Sequence, residues 1–101
     1  MKSSVTEIKK ISLKNSSRVA IVYRFHTEKA VKMAKDVTAW LQARNIEVFT
    51  APGQKLIAKT KFVRGGKMIS TLSFVIVLGG DGTYLRAVRL IDGSQIPVLG
   101  F

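Results

Sequence analysis

The residues best placed to do chemistry are Gly79-Gly80-Asp81-Gly82-Thr83, which follow the apolar run Phe74-Val75-Ile76-Val77-Leu78 without a break. Where a buried strand hands over to a helix, three glycines let the backbone turn sharply and leave space that side chains would fill. A helix starting near Thr83 would aim its unpaired amides and positive dipole end at the turn, which favours phosphate oxygens there. Asp81 is the anomaly, because a carboxylate repels phosphate unless it holds a metal ion or accepts a proton. Phosphoryl transfer to a hydroxyl needs an oriented nucleophile, a proton acceptor, and Mg²⁺ and amides to stabilise the transferring group. The same five residues also fit a structural turn in which Asp81 only caps a helix running from Gly82 onward. Neither a P-loop nor a Gly-x-Gly-x-x-Gly fingerprint is present, since no Gly-Lys-Ser/Thr ending follows and the glycine spacing differs.

The elements that must position this turn read as alternating strands and helices. Residues 1–17 mix isolated apolar residues with Lys and Ser and form a leader. From Arg18 the sequence becomes Val19-Ala20-Ile21-Val22-Tyr23, a β-branched apolar run of the kind a parallel strand buried on both faces requires. Thr27 and Glu28 suit a helix start, after which Ala30, Ala34, Val37 and Leu41 make one apolar stripe, and Asn45 is a left-handed stop. Ile46 to Thr50 reads as a second strand. Residues 54–72 stay open between short helix and loop, with Gly65-Gly66 interrupting either one. Beyond the glycine turn, Leu85, Val88 and Ile91 mark a helix, Gly93 ends it, and Ile96 to Leu99 gives another strand. This order predicts a three-layer, doubly wound, mainly parallel α/β sheet of the Rossmann type over residues 18–101.

Strand carboxyl ends line the crevice of such a sheet, which gives Arg24 a stronger claim on a ligand than His26, read as an ordinary loop residue. Tyr23 and Trp40 fit core or edge packing. Lys55, Lys59, Lys61, Arg64 and Lys67 either overlie a phosphate site or decorate an exposed loop, and the loop is the reading adopted.

Composition narrows the field further. With 17 Lys and Arg against 6 acidic residues the formal charge is +11, which favours phosphate-bearing partners. No interleaving of aromatics with bases makes a nucleic-acid platform, so nucleic acid is not an expected partner. No cysteine is present, so thiolate catalysis and thiolate metal sites are excluded, and a reducing cytoplasm is the compatible compartment. The longest apolar stretch, Phe74 to Leu78, is too short to span a bilayer, and no membrane partner is expected.

Gly-Gly-Asp-Gly-Thr closing an apolar strand resembles the superfamily that joins NAD kinases, diacylglycerol and sphingosine kinases and, more remotely, phosphofructokinases. Thr83-Tyr84-Leu85-Arg86-Ala87-Val88-Arg89 and Ile96-Pro97-Val98-Leu99-Gly100-Phe101 resemble bacterial NAD kinases in particular. The likeness extends over residues 18–101 in architecture and is specific over about 73–101. It implies a transferase that moves a phosphate from ATP or polyphosphate, with substrate-bound Mg²⁺, to the ribose 2′-hydroxyl of NAD. Asp81 would accept the proton of that hydroxyl and Gly82 would line the dinucleotide. Gly79, Gly80 and Thr83 would shape the phosphate-binding turn. Arg86 would contact a phosphate or the NAD, with a plain surface-helix role as its alternative. The resemblance also implies a homo-oligomer at full length and a β-rich second domain beyond residue 101, so residues 1–101 alone are expected to be inactive or nearly so. The competing readings are a non-catalytic phosphate- or nucleotide-binding module and a lipid-kinase-like domain.

Overall fold

The computed structural model describes residues 17–24 and 26–100. The leader expected at 1–17 lies outside them except for Ser17, whose carbonyl accepts the amide of Glu47 at 3.0 Å. Strand β1 spans Arg18–Tyr23, helix α1 Glu28–Gln42, β2 Glu47–Thr50, β3 Lys61–Phe62, helix α2 Gly65–Ile69, β4 Phe74–Leu78, helix α3 Asp81–Ile91 and β5 Val98–Gly100. The strands form one sheet in the order β3-β2-β1-β4-β5, with every neighbouring pair parallel.

This order reverses direction at the β1/β4 pair, where Val19 to Tyr23 lie beside Phe74 to Leu78. Crossovers of one hand that run outward from that pair in opposite directions must cover opposite faces of the sheet. The packing agrees. Val19, Ile21, Tyr23, Ile76 and Leu78 pack with Ala34, Val37 and Leu41 of α1, whereas Ala20, Val22, Val75 and Val77 pack with Ala87 of α3 and residues of the α2 segment. Neighbouring residues of β1 and β4 thus face different helix layers, which is why both strands are apolar throughout rather than alternating.

The predicted stripe of α1 is buried at Ala30, Ala34, Val37 and Leu41. Thr27 occupies the N-cap with extended backbone, although its side chain makes no capping hydrogen bond, and Asn45 takes a left-handed φ of 61°. Gly65 and Gly66 do not interrupt structure as expected but open α2, Gly65 at a φ of 75°. The last strand starts at Val98 instead of Ile96. Pro97 has no amide to give a ladder, and it joins the sheet through its carbonyl, which accepts Val75 N at 2.9 Å. Tyr23 is buried in the core, and burial pushes its pKa up from the ordinary 10.0. Its hydroxyl donates to the carbonyl of Lys55. Trp40 is half-buried, with the Arg44 guanidinium 3.8 Å above its ring.

Candidate functional site

The glycine turn lies at the carboxyl end of β4, beside the carboxyl end of β1, which is where open α/β sheets bind ligands. Helix α3 starts two residues earlier than Thr83, with Gly80 as N-cap and Asp81 as its first residue. The Gly80 carbonyl accepts the amides of both Thr83 and Tyr84 at 3.1 Å. The helix-start donors left without a partner among the described residues are therefore those of Asp81 and Gly82.

The three glycines do different work. At Gly79, φ is 153°, and a Cβ there would meet Thr83 Oγ1 at 2.7 Å and Arg24 Cβ at 3.2 Å. Gly79 lets β1's end, β4's end and the start of α3 close on one another. A Cβ at Gly80 or Gly82 would meet nothing within 4 Å. These two glycines border open space. Gly82→Ala is accordingly expected to raise stability by about 0.5–1 kcal/mol, since Ala outranks Gly inside a helix, while weakening nucleotide binding. Chemical denaturation paired with calorimetry against NAD checks both signs, and unchanged affinity would mean that the bare helix start faces no ligand.

The cleft over the turn is ≈ 470 Å³ and is lined by Arg24, His26, Gly80, Asp81, Gly82, Thr83 and Arg86. Of the residues that the sequence singled out for the site, Gly80, Asp81, Gly82, Thr83 and Arg86 gather here, whereas Gly79 lines a neighbouring cavity with Arg24, Leu78 and Gly80. Asp81 is exposed, and its carboxylate has no hydrogen-bond or ion-pair partner among the described residues. It does not serve as the N-cap, so the structural role considered for it loses its main support. It remains favourable for the helix as a negative charge on the first turn. Thr83 is buried and is a wall of the turn. Arg86 is half-buried, and its Nη2 donates to Gln54 Oε1 at 2.7 Å.

Sequence reasoning placed His26 among ordinary loop residues, yet it lines the cleft, with Arg24 Nε 3.5 Å from its Nε2. It also passed over Gln54, whose partners lie more than 30 positions away in sequence and leave no local signal. Lys55, Lys59, Lys61, Arg64 and Lys67 are all exposed and none lines this cleft, but they do not share one loop, since Lys61 lies in β3, Arg64 caps α2 and Lys67 lies within it. The cleft thus combines two guanidinium groups, two open helix-start amides and one carboxylate. Guanidinium groups and open amides are the donors that suit phosphate oxygens, and a carboxylate beside them is a group that can accept a proton.

A family model described as the ATP-NAD kinase N-terminal domain matches residues 19–101. The NAD kinase of Bdellovibrio bacteriovorus is 51% identical over 92 residues, covering 91% of this chain and 30% of that protein. The NAD kinase of Syntrophobacter fumaroxidans is 35% identical over 82 residues, covering 81% and 29%. The bifunctional NADP phosphatase/NAD kinase of Methanocaldococcus jannaschii is 35% identical over 83 residues, covering 81% and 14%. The chain therefore spans less than a third of the length of these curated relatives. No solved structure matches it. With the matched region taking in the sheet from Val19 onward, all three helices and the glycine-aspartate turn, the chain belongs to the ATP-NAD kinase family, of which it carries the N-terminal domain.

Proposed function

We propose that residues 18–101 form the nucleotide-binding half of an NAD kinase, which transfers the γ-phosphate of ATP, or of polyphosphate, to the 2′-hydroxyl of NAD. The observation that carries this reading is the Asp81 carboxylate at the start of α3, without a partner among the described residues and set in the same cleft as Arg24 and Arg86. In that role Asp81 takes the proton from the attacking hydroxyl as the new O–P bond forms and the bond to the departing diphosphate breaks. The amides of Asp81 and Gly82 and the Arg86 guanidinium hold phosphate oxygens, and Gly80 and Gly82 let the dinucleotide approach the backbone. The names of the relatives favour this reading over a lipid kinase or a non-catalytic module.

The described residues contain no group of three or more His, Cys, Asp or Glu placed to hold a metal. Mg²⁺ is accordingly proposed as a companion of the nucleotide phosphates, where it would offset their charge, with Asp81 the one carboxylate this cleft offers. The enzyme is proposed to act in the cytoplasm as a homo-oligomer, with NAD and ATP as its small-molecule partners. No helix among the described residues is long and apolar enough to cross a membrane.

The test is a chimera in which residues 19–101 replace the matching stretch of the Bdellovibrio bacteriovorus kinase, assayed for ATP-dependent NADP formation beside the 101-residue chain. The chimera is expected to reach the parent rate within about tenfold, and the chain alone to show little or no turnover. A folded chimera without activity would refute the proposed function. Turnover by the chain alone at the parent rate would refute the assignment of half a site to it.

A further inference from the structure

Gln54 follows the turn after β2 and is 7% exposed, a low value for a polar side chain on a connecting segment. Its oxygen is engaged twice and one of its two N–H donors is used. Oε1 accepts Tyr23 N at 3.2 Å and Arg86 Nη2 at 2.7 Å, and Nε2 donates to the Ile21 carbonyl at 3.0 Å. The pairing of β1 with β2 ends at Ile21 and Thr50, where the Ile21 carbonyl also accepts Ala51 N at 3.1 Å, and Gln54 takes up the next β1 amide, that of Tyr23. The orientation of the amide follows from its neighbours: turned over, its NH₂ would face two N–H donors and its oxygen a carbonyl.

From this geometry we propose that Gln54 is a positioning residue for phosphate binding, which acts by fixing the Arg86 guanidinium at the wall of the cleft. The inference rests on the reading of that cleft as a phosphate site. Arg86 reaches the cleft from the second turn of α3 on a long side chain with several rotatable bonds, which would otherwise lose entropy on gripping an anion. A buried, neutral acceptor restrains it in advance without cancelling its charge, as a carboxylate at the same position would. Gln54 in turn is held by backbone atoms of β1, the strand that also delivers Arg24 to the cleft. The loop after β2 is thereby tied to a site otherwise built from the ends of β1 and β4.

Calorimetry of the 101-residue chain with inorganic pyrophosphate tests the proposal without requiring catalysis, so its failure is separable from failure of the kinase reading in the chimera. Gln54→Met is expected to weaken pyrophosphate binding about fivefold, the scale of immobilising one long side chain on binding. Arg86→Met should weaken it at least as much, and Gln54→Met added to Arg86→Met should change nothing further. Gln54→Glu keeps the size and both acceptor contacts but sets a negative charge against Arg86, and it too should weaken binding. Wild-type affinity in folded Gln54→Met, or additive losses in the double variant, would overturn the proposal. So would absence of pyrophosphate binding by the wild-type chain, or unfolding of both Gln54 variants, which would make the residue a brace of β1 and nothing more.

Discussion

Asp81→Asn in the active chimera is expected to lower kcat by about 10²–10⁴-fold, the usual contribution of a positioned general base, with the fold intact and KM no higher. Asn has nearly the shape of Asp but cannot take a proton from the ribose hydroxyl. Asp81 is exposed and has no partner among the described residues, so no packing or ion pair is lost with its charge. The fold gives up only the favourable placement of a negative charge on the first turn of α3, worth about 0.3–1 kcal/mol. Removing that charge also relieves repulsion of the incoming phosphates, which is why affinity should hold or improve while turnover collapses. Steady-state kinetics beside a denaturation curve separate these effects. A variant with kcat within about threefold of the unsubstituted chimera would remove Asp81 from the chemistry.

Gly79→Ala is the second large effect, and it acts on the framework. The added methyl would lie 2.7 Å from Thr83 Oγ1 and 3.2 Å from Arg24 Cβ, on a backbone whose φ of 153° suits glycine. Strain of this kind costs roughly 1–3 kcal/mol when the surroundings hold it in place. Here they do, because Thr83 is buried in α3 and Arg24 is anchored through its amide to the Leu78 carbonyl at 3.1 Å. The urea midpoint should therefore drop clearly for Gly79→Ala and hardly at all for Gly80→Ala, whose site has a φ of −90° and no atom within 4 Å. Equal midpoints for the two would mean that the junction of β1, β4 and α3 gives way without cost.

The contrast between these glycines marks what a sequence can disclose. Phe74 to Leu78 was legible because a continuous apolar run marks a strand buried on both faces, whereas the helix after it was found by a stripe that is not its buried face: Leu85 and Val88 are exposed, and Thr83 and Ala87 pack inward. The three-layer parallel sheet followed from their alternation, and Asp81 stood out by being the wrong charge for its setting. Which glycine is sterically required and which borders a ligand depends on atoms brought from Arg24 and Thr83, and no local pattern holds that information. Residues 54–72 were illegible for a related reason: β3 is two residues long and α2 five, too short for any periodicity, and both take their shape from the sheet they join. Gln54 belongs to the same class, a polar residue whose meaning lies wholly in the distant groups it touches. The expected helix start near Thr83 missed because glycine at positions 80 and 82 hides a boundary that capping side chains would otherwise announce.

The seam between β1 and β4 carries one more consequence, for the order in which the molecule assembles. Val19 pairs with Phe74 and Tyr23 with Leu78, so the central contact of the sheet joins segments separated by more than half the chain. Closing so long an intervening loop delays that pairing relative to the local strand-helix contacts. An anion held at once by groups from the ends of both strands is bonded to the late-forming junction, and it leaves when the junction opens. Bound phosphate would then slow unfolding more than it speeds folding, lengthening the lifetime of the native state as a latch does.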